Sequence, residues 1–420
     1  MLVTSQIPLA EPVPEIAVEP VAPLRLCKPA SPPQHTPSLM MAIICIVLVA
    51  LTLRPAIVSV GPLLPGMIAD FALSHTQASL LTAIPTLLMG LMALPTPWLA
   101  RRFGRDRVIL AALAVLFVAT GLRAIAGSIG VLFLTTVGIG AGIAVAGALL
   151  AGFVKGSYPK QAAVLMSIYA TALALGSTIA AAATGPVAAA VASWRLGASL
   201  WMLPVVIAIG AWFFIERQGL TAAQGRVSTR RYGMPLRNPT AWLIALFFAC
   251  NNVIFYAFIS WTAPMFVEYG RSATTAGLIL ASFTLAFMIS NPLFGVLSRN
   301  EDRRVALAVS SGIALLGTLT LAIAPNAMPF VAVPLIAFGT GGAFTLAMTL
   351  PLDNTANAEE ANAWNAFVLL FSYGVAAAGP LLMGYLRDIT GGFHTSLWLM
   401  VGVSVVMLSS TPFLKPYHRR

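Results

Sequence analysis

LMMAIICIVLVALTLRPAIVSVGPLLP, residues 39 to 65, is an apolar run of membrane-crossing length with one charge inside it, Arg54. A helix rises 1.5 Å per residue, so about twenty such residues cross the ~30 Å of bilayer hydrocarbon. Arg54 falls deep in this run, far from either water boundary. A charge at that depth costs ~2.5 to 3.5 kcal/mol even on the most forgiving insertion scale, and normally faces a cavity or a partner. Every Asp and Glu of the chain can be placed in a loop, a tail or at a helix end. Arg54 is therefore an uncompensated cation near mid-membrane, the electrostatic signature of an anion site.

The rest of the chain has the same texture. Of its 420 residues 59% are hydrophobic and 9% charged, where a soluble domain carries roughly 25% charged residues. Apolar runs of about twenty residues recur, and they predict twelve transmembrane helices, over 39–65, 77–100, 107–126, 130–153, 162–184, 196–215, 240–262, 274–297, 305–324, 328–350, 364–386 and 395–414. The chain reads as an all-α membrane protein. Pro55, Pro62, Pro65, Pro85 and Pro95 fall inside the first two runs. In a bilayer such prolines predict bends and local breaks, because neighbouring helices can satisfy the freed carbonyls.

The net charge of +11 has a topological explanation. With the amino terminus inside, 19 of the 24 Lys and Arg fall on the cytoplasmic side, and the opposite side keeps Arg123, Arg195, Arg271 and Arg387. That asymmetry predicts that both termini are cytoplasmic, and it removes the need for a nucleic-acid partner. Arg123, near the end of the third run, is expected to snorkel to the headgroups. Cys27, Cys45 and Cys250 are too few and too scattered for a disulfide framework or a metal site. Residues 1–38 hold nine prolines and read as a disordered, partly polyproline tail with no cleavable signal.

The runs repeat. Ser74, Thr76 and Ala78 lead into the second run, and Ser272, Thr274 and Ala276 lead into the eighth, 198 residues later. The loop Pro97-Trp98-Leu99-Ala100-Arg101-Arg102-Phe103-Gly104-Arg105-Asp106 shifts by the same distance onto Gly295-Val296-Leu297-Ser298-Arg299-Asn300-Glu301-Asp302-Arg303-Arg304, again short and basic. Gly138-Ile139-Gly140-Ala141-Gly142 is matched by Gly339-Thr340-Gly341-Gly342-Ala343, and Gly185-Pro186 by Gly379-Pro380. Four matches in the same order predict two pseudo-symmetric six-helix bundles, 39–215 and 239–414, joined by a basic cytoplasmic linker, 216–238, with a short tail at 415–420.

This organisation resembles the major facilitator superfamily. Arg101-Arg102-Phe103-Gly104-Arg105 looks like that superfamily's cytoplasmic loop signature, with Pro97 in place of its glycine and Arg101 in place of its aspartate. Within it, Leu53-Arg54-Pro55-Ala56-Ile57, Ser59-Val60-Gly61-Pro62-Leu63-Leu64-Pro65, Phe255-Tyr256-Ala257-Phe258-Ile259-Ser260-Trp261 and Gly339-Thr340-Gly341-Gly342-Ala343-Phe344 resemble the cyanate and 2-nitroimidazole transporter branch. That branch usually carries Gln where this chain has Thr340. The resemblance implies a major facilitator fold and alternating access around a mid-membrane site.

The repeat shift carries Arg54 onto Asn252, so the two are expected to face each other across the central cavity. Guanidinium is a planar fork of donors suited to small planar anions, and an amide adds neutral donors and an acceptor. Asn251 is next in the chain, and Tyr256 is one turn on from Asn252 on the same face. Tyr169, Thr340, Asn365 and Tyr373 complete the candidate substrate-binding set. Arg101, Arg102 and Arg105, with Glu359 and Glu360 of the basic-poor loop near residue 355, are candidates for a cytoplasmic gate. Asp353 of the same loop is a further partner for these arginines or for Arg299, Arg303 and Arg304.

Together these features predict a monomeric secondary transporter of a bacterial inner membrane, moving a small anion or electron-rich heterocycle of cyanate or nitroimidazole type. Its partners are that substrate and the lipid bilayer. No nucleotide-binding loop is present, and neither a cofactor nor a metal is expected. Proton-coupled drug efflux is the alternative. It is disfavoured because such machines need a titratable group at depth, and only Asp70, His75 and Glu268 approach the membrane, near its outer ends. A membrane enzyme would need a nucleophile or an acid/base pair at depth, and none is visible.

Overall fold

Pro55 has no amide hydrogen to donate, so the first span bends where Arg54 meets it. In the computed structural model, which describes residues 39–158, 161–217, 234–298, 302–355 and 358–415, that span runs as α1 (Leu39–Leu53), α2 (Pro55–Val58) and α3 (Val60–Phe71). Its breaks lie at Arg54 and Ser59. The second span is α4 (His75–Leu91) and α5 (Thr96–Phe103), bent by 65° just before Pro95 caps α5. Pro55 and Pro95 thus stand at breaks, as read from them, whereas Pro62, Pro65 and Pro85 lie inside α3 and α4 without interrupting them. The first half continues with α6 (Arg105–Ala124), α7 (Ile129–Ser157), α8 (Ala162–Ala190), α9 (Trp194–Ser199) and α10 (Met202–Arg217).

The second half holds α11 (Pro239–Glu268), α12 (Ala273–Leu297), α13 (Arg304–Ile323), α14 (Pro329–Asp353), α15 (Ala358–Ala376), α16 (Ala378–Thr390) and α17 (His394–Ser410). Eleven continuous or gently bent spans plus the α4–α5 pair give the twelve expected crossings. The Pro-rich tail at 1–38, the centre of the 216–238 linker and residues 416–420 lie outside the described residues.

The repeat is visible in the caps. Ser74 accepts from the backbone N–H of Gln77 at the start of α4, and Ser272 accepts from that of Thr275 at the start of α12. Each supplies one of the donors that a helix N-terminus leaves unpaired with an acceptor. It is visible in the helix crossings too. A Cβ on Gly176 of α8 would overlap the Leu51 carbonyl oxygen of α1, and one on Gly379 of α16 would overlap the Val253 carbonyl oxygen of α11. Gly140 lies against Pro85 of α4, where an added Cβ would stand 2.7 Å from its Cα, and Gly341 lies in the same way against Phe287 of α12. With no hydrophobic drive between helices in lipid, small residues that let backbones approach are what hold such crossings. The glycines of α7 and α14 thus act in packing.

Alternate connections define two ends of the bundle. One carries residues 39 and 415 and is called the terminal end. The far end, at the turns near residues 72, 127, 192, 270, 326 and 392, joins the two halves by hydrogen bonds. Asp388 of α16 caps the N-terminus of α4, accepting from the backbone N–H of His75 at 2.9 Å and of Thr76 at 2.8 Å and from the Thr76 hydroxyl at 2.7 Å. One turn deeper, Ser79 donates to the Pro380 carbonyl at 2.8 Å and Trp261 donates to the same oxygen at 3.0 Å.

Candidate functional site

Arg54 is held at the break between α1 and α2, where its own carbonyl accepts from the N–H groups of Ile57 and Val58. From there its side chain lines a cavity of about 800 Å³ between the halves. The walls come from α8 (Met166, Leu173, Ser177), α11 (Asn252, Phe255, Tyr256), α12 (Thr284, Phe287, Asn291), α14 (Phe344, Thr345) and α15 (Tyr373), among others. On α12 and α14 the lining runs to the last turns, through Val296 and Thr349, and on α8 it begins near the first, at Met166. The cavity thus extends toward the terminal end, opposite the hydrogen-bonded far end.

The guanidinium of Arg54 donates from Nη1 to the Tyr256 hydroxyl at 3.0 Å, and that hydroxyl lies 3.6 Å from Met89 Sδ. The Tyr256 ring packs edge-on against Tyr373, with centroids 6.1 Å apart. A phenol satisfies one donor and leaves the charge uncompensated, since a neutral acceptor cannot cancel it. Among the described lining residues Arg54 is the one charged side chain, and none is Asp, Glu or His. Asn252 is buried in the same wall, and its amide nitrogen has no partner among the described residues. The site therefore presents donors, and an acceptor-rich occupant would satisfy them.

Of the eight residues read from the sequence as substrate-binding, the structure brings Arg54, Asn252, Tyr256 and Tyr373 together in one cavity wall. Tyr169 is half-buried nearby, its hydroxyl 3.3 Å from where a Cβ on Gly147 would be. Asn251 is buried outside the lining, with both amide atoms unpartnered among the described residues. It is one residue from Asn252, hence about 100° around the helix. Thr340 is also buried outside the lining and donates back to the Ile336 carbonyl at 2.9 Å. Asn365 of α15 is half-buried and does not line the cavity. The direct partner of Arg54 is Tyr256, one turn from the residue that the repeat shift selects.

At the terminal end, Arg101 is exposed, Arg102 lies over the Trp98 ring at 5.4 Å, and Arg105 lies over Phe153 at 4.8 Å. Asp353 takes Arg303 at 2.6 Å within the second half. Glu360 borders a shallow groove with Trp364 and residues 234–239, and the side chain of Glu359 lies outside the described residues.

Arg123 departs from expectation. It does not snorkel: it is 2% exposed and donates to the Thr136 hydroxyl at 2.8 Å, with the Ala56 carbonyl of the broken first span at 3.5 Å. Helix packing around α6 encloses it before its side chain can reach the boundary. The sequence reading also missed the aromatic wall of Phe255, Phe287 and Phe344, which no polar signal marks.

A family model described as Major Facilitator Superfamily matches residues 40–375 and 265–419. The chain is 27% identical over 383 residues to the cyanate transport protein CynX of Escherichia coli K12, covering 89% of this chain and 98% of that one. It is 28% identical over 368 residues to the 2-nitroimidazole transporter of the same organism, covering 86% and 91%. A nitrite extrusion protein of Bacillus subtilis is 25% identical over 301 residues, covering 71% and 72%. Among solved structures, a bacterial homologue of the human lysosomal transporter Spinster in an inward-facing, occupied conformation aligns with a TM-score of 0.72 at 19% identity, covering 89% of this chain and 95% of that one. The D-xylose-proton symporter aligns at 0.70 and 14% identity, covering 90% and 97%.

Proposed function

Because the chain belongs to the major facilitator superfamily, and is thus a membrane transporter rather than an enzyme, we propose that it carries a small anion or electron-rich molecule past Arg54 by alternating access. The observation that carries this reading is the cavity-lining guanidinium whose hydrogen-bond partner is a neutral phenol. An anion entering the cavity would supply the missing charge, and the unpartnered amide of Asn252 would supply a second donor. The names of the relatives, which transport cyanate, 2-nitroimidazole and nitrite, agree with an acceptor-rich substrate. Proton-coupled efflux is less well supported, since the described lining offers no carboxylate or histidine to carry the proton.

The test is a thermal-shift panel on the purified protein with cyanate, nitrate, nitrite and 2-nitroimidazole, followed by a double-mutant cycle with Arg54→Gln and Asn252→Ala. Two residues holding one ligand are expected to show a coupling above ~0.5 kcal/mol in binding free energy. Strictly additive losses would remove Asn252 from the site.

In this reading the protein is an inner-membrane monomer with both termini cytoplasmic, so the cavity extends toward the cytoplasm. The loop arginines Arg101, Arg102 and Arg105, with Glu359 and Glu360, are then the groups that meet when that end closes. A cysteine at Ser272 is expected to label from the periplasm. The same reagent should report a changed balance of inward and outward openings when Glu359 and Glu360 are both neutralised, because contacts made in one state alone shift the equilibrium. Labelling from the cytoplasm would reverse the topology, and an unchanged balance would remove the gate.

A further inference from the structure

The walls of the cavity narrow the substrate class further, and this step rests on the anion reading above. Phe255, Phe287 and Phe344 line the cavity in sequence, with Phe255 and Phe287 centroids 4.6 Å apart and Phe287 and Phe344 centroids 5.8 Å apart. Their interplanar angles of 47° and 59° are tilted, so the rings are not closed face to face upon one another. Phe255 also packs edge-on against Tyr256 at 5.2 Å, which ties this run of rings to the phenol that holds Arg54. Met166, Met288 and Met348 add three thioethers to the same lining. Thioethers are soft and make favourable contacts at ring edges, so they adapt to flat apolar bodies of differing outline.

The charge set is equally restrictive. Arg54 is the one cation among the described lining residues, so it matches one negative charge, and a second negative charge would be desolvated without a partner. A triatomic anion is shorter than the 4.6 Å and 5.8 Å steps between the ring centroids of Phe255, Phe287 and Phe344, so it cannot lie against all three. An aliphatic anion would cover it without the edge-to-face and offset contacts that flat rings favour. We infer that the physiological occupant is an aromatic or heteroaromatic monoanion, its charged edge on Arg54 and Asn252 and its ring against Phe255, Phe287 and Phe344. These three phenylalanines then set specificity, while Arg54 sets the requirement for charge.

Benzoate, cyclohexanecarboxylate and cyanate separate these terms, with affinities measured by calorimetry on the purified full chain. Benzoate is expected to bind at least tenfold more tightly than either of the others. Phe287→Ala should weaken benzoate at least tenfold and leave cyanate within twofold. Phe287→Leu keeps an apolar side chain there and should lose the preference for benzoate over cyclohexanecarboxylate while the protein stays folded. Arg54→Gln should weaken all three. Equal affinities for benzoate and cyclohexanecarboxylate, or a Phe287→Leu variant that keeps the preference, would overturn the aromatic assignment and leave the anion site standing. If none of the three binds the wild type, or binding is indifferent to Arg54→Gln, the anion reading itself falls and takes this inference with it.

Discussion

Arg54→Lys is expected to reach the membrane normally and to lose about ten- to a hundredfold in anion affinity. Hydrogen bonds to charged groups are worth ~1.5 to 3 kcal/mol, and each 1.4 kcal/mol is a factor of ten. Lysine keeps the positive charge, so the loss measures geometry. The ammonium is a compact, strongly hydrated point charge on a flexible stem, and it lacks the planar fork that can bond the Tyr256 hydroxyl and a ligand together. Arg54→Ala removes charge and geometry alike and is expected to abolish measurable binding. The measurement is uptake into vesicles beside a titration of the purified variants, with expression matched to wild type. Wild-type transport by either variant would sink the assignment of Arg54 to the site.

A second large effect is expected from the helix crossings. Gly176→Val and Gly379→Val place a branched side chain where a single Cβ already overlaps the backbone carbonyl of Leu51 or of Val253. A backbone oxygen in a packed helix cannot swing aside, so the helices must separate. Overpacking of a tight contact costs ~1 to 3 kcal/mol even when side chains can yield. Both variants should therefore unfold at clearly lower temperature than wild type in detergent, followed by tryptophan fluorescence. Gly402→Val is the control, because a Cβ at Gly402 of α17 meets nothing within 4 Å. Similar melting of all three would show that the α1–α8 and α11–α16 crossings are not held by close approach. These two glycines also mark the positions that are equivalent in packing, whereas the Gly185-Pro186 and Gly379-Pro380 pairs correspond only as a sequence pattern.

The features legible from the residues alone are those that depend on the bilayer or on a few neighbouring positions. The length of each apolar run is set by membrane thickness, and the chain's own N–H and C=O groups must pair internally, so twelve helical crossings follow without any knowledge of their contacts. Ser74 and Ser272 cap their helices by bonding three residues ahead, which makes the 198-residue register readable locally. Arg54 stood out because the cost of a charge at depth scarcely depends on which helix faces it.

Which helix faces meet is set by packing. In a bilayer the lipid-facing and core-facing sides of a helix are both apolar, so the periodicity that marks a buried face in water is missing. Phe287 and Phe344 look in sequence like any lipid-facing phenylalanine, yet they line the cavity. Asn251 and Asn252 are equally polar neighbours, yet one helical step puts only Asn252 in the wall. Arg123 looks free to reach the boundary, yet packing of its neighbours leaves it 2% exposed on Thr136. The repeat specifies which helices oppose each other, but the bend at Pro55 and the reach of the side chain set the rung, and there the guanidinium meets Tyr256.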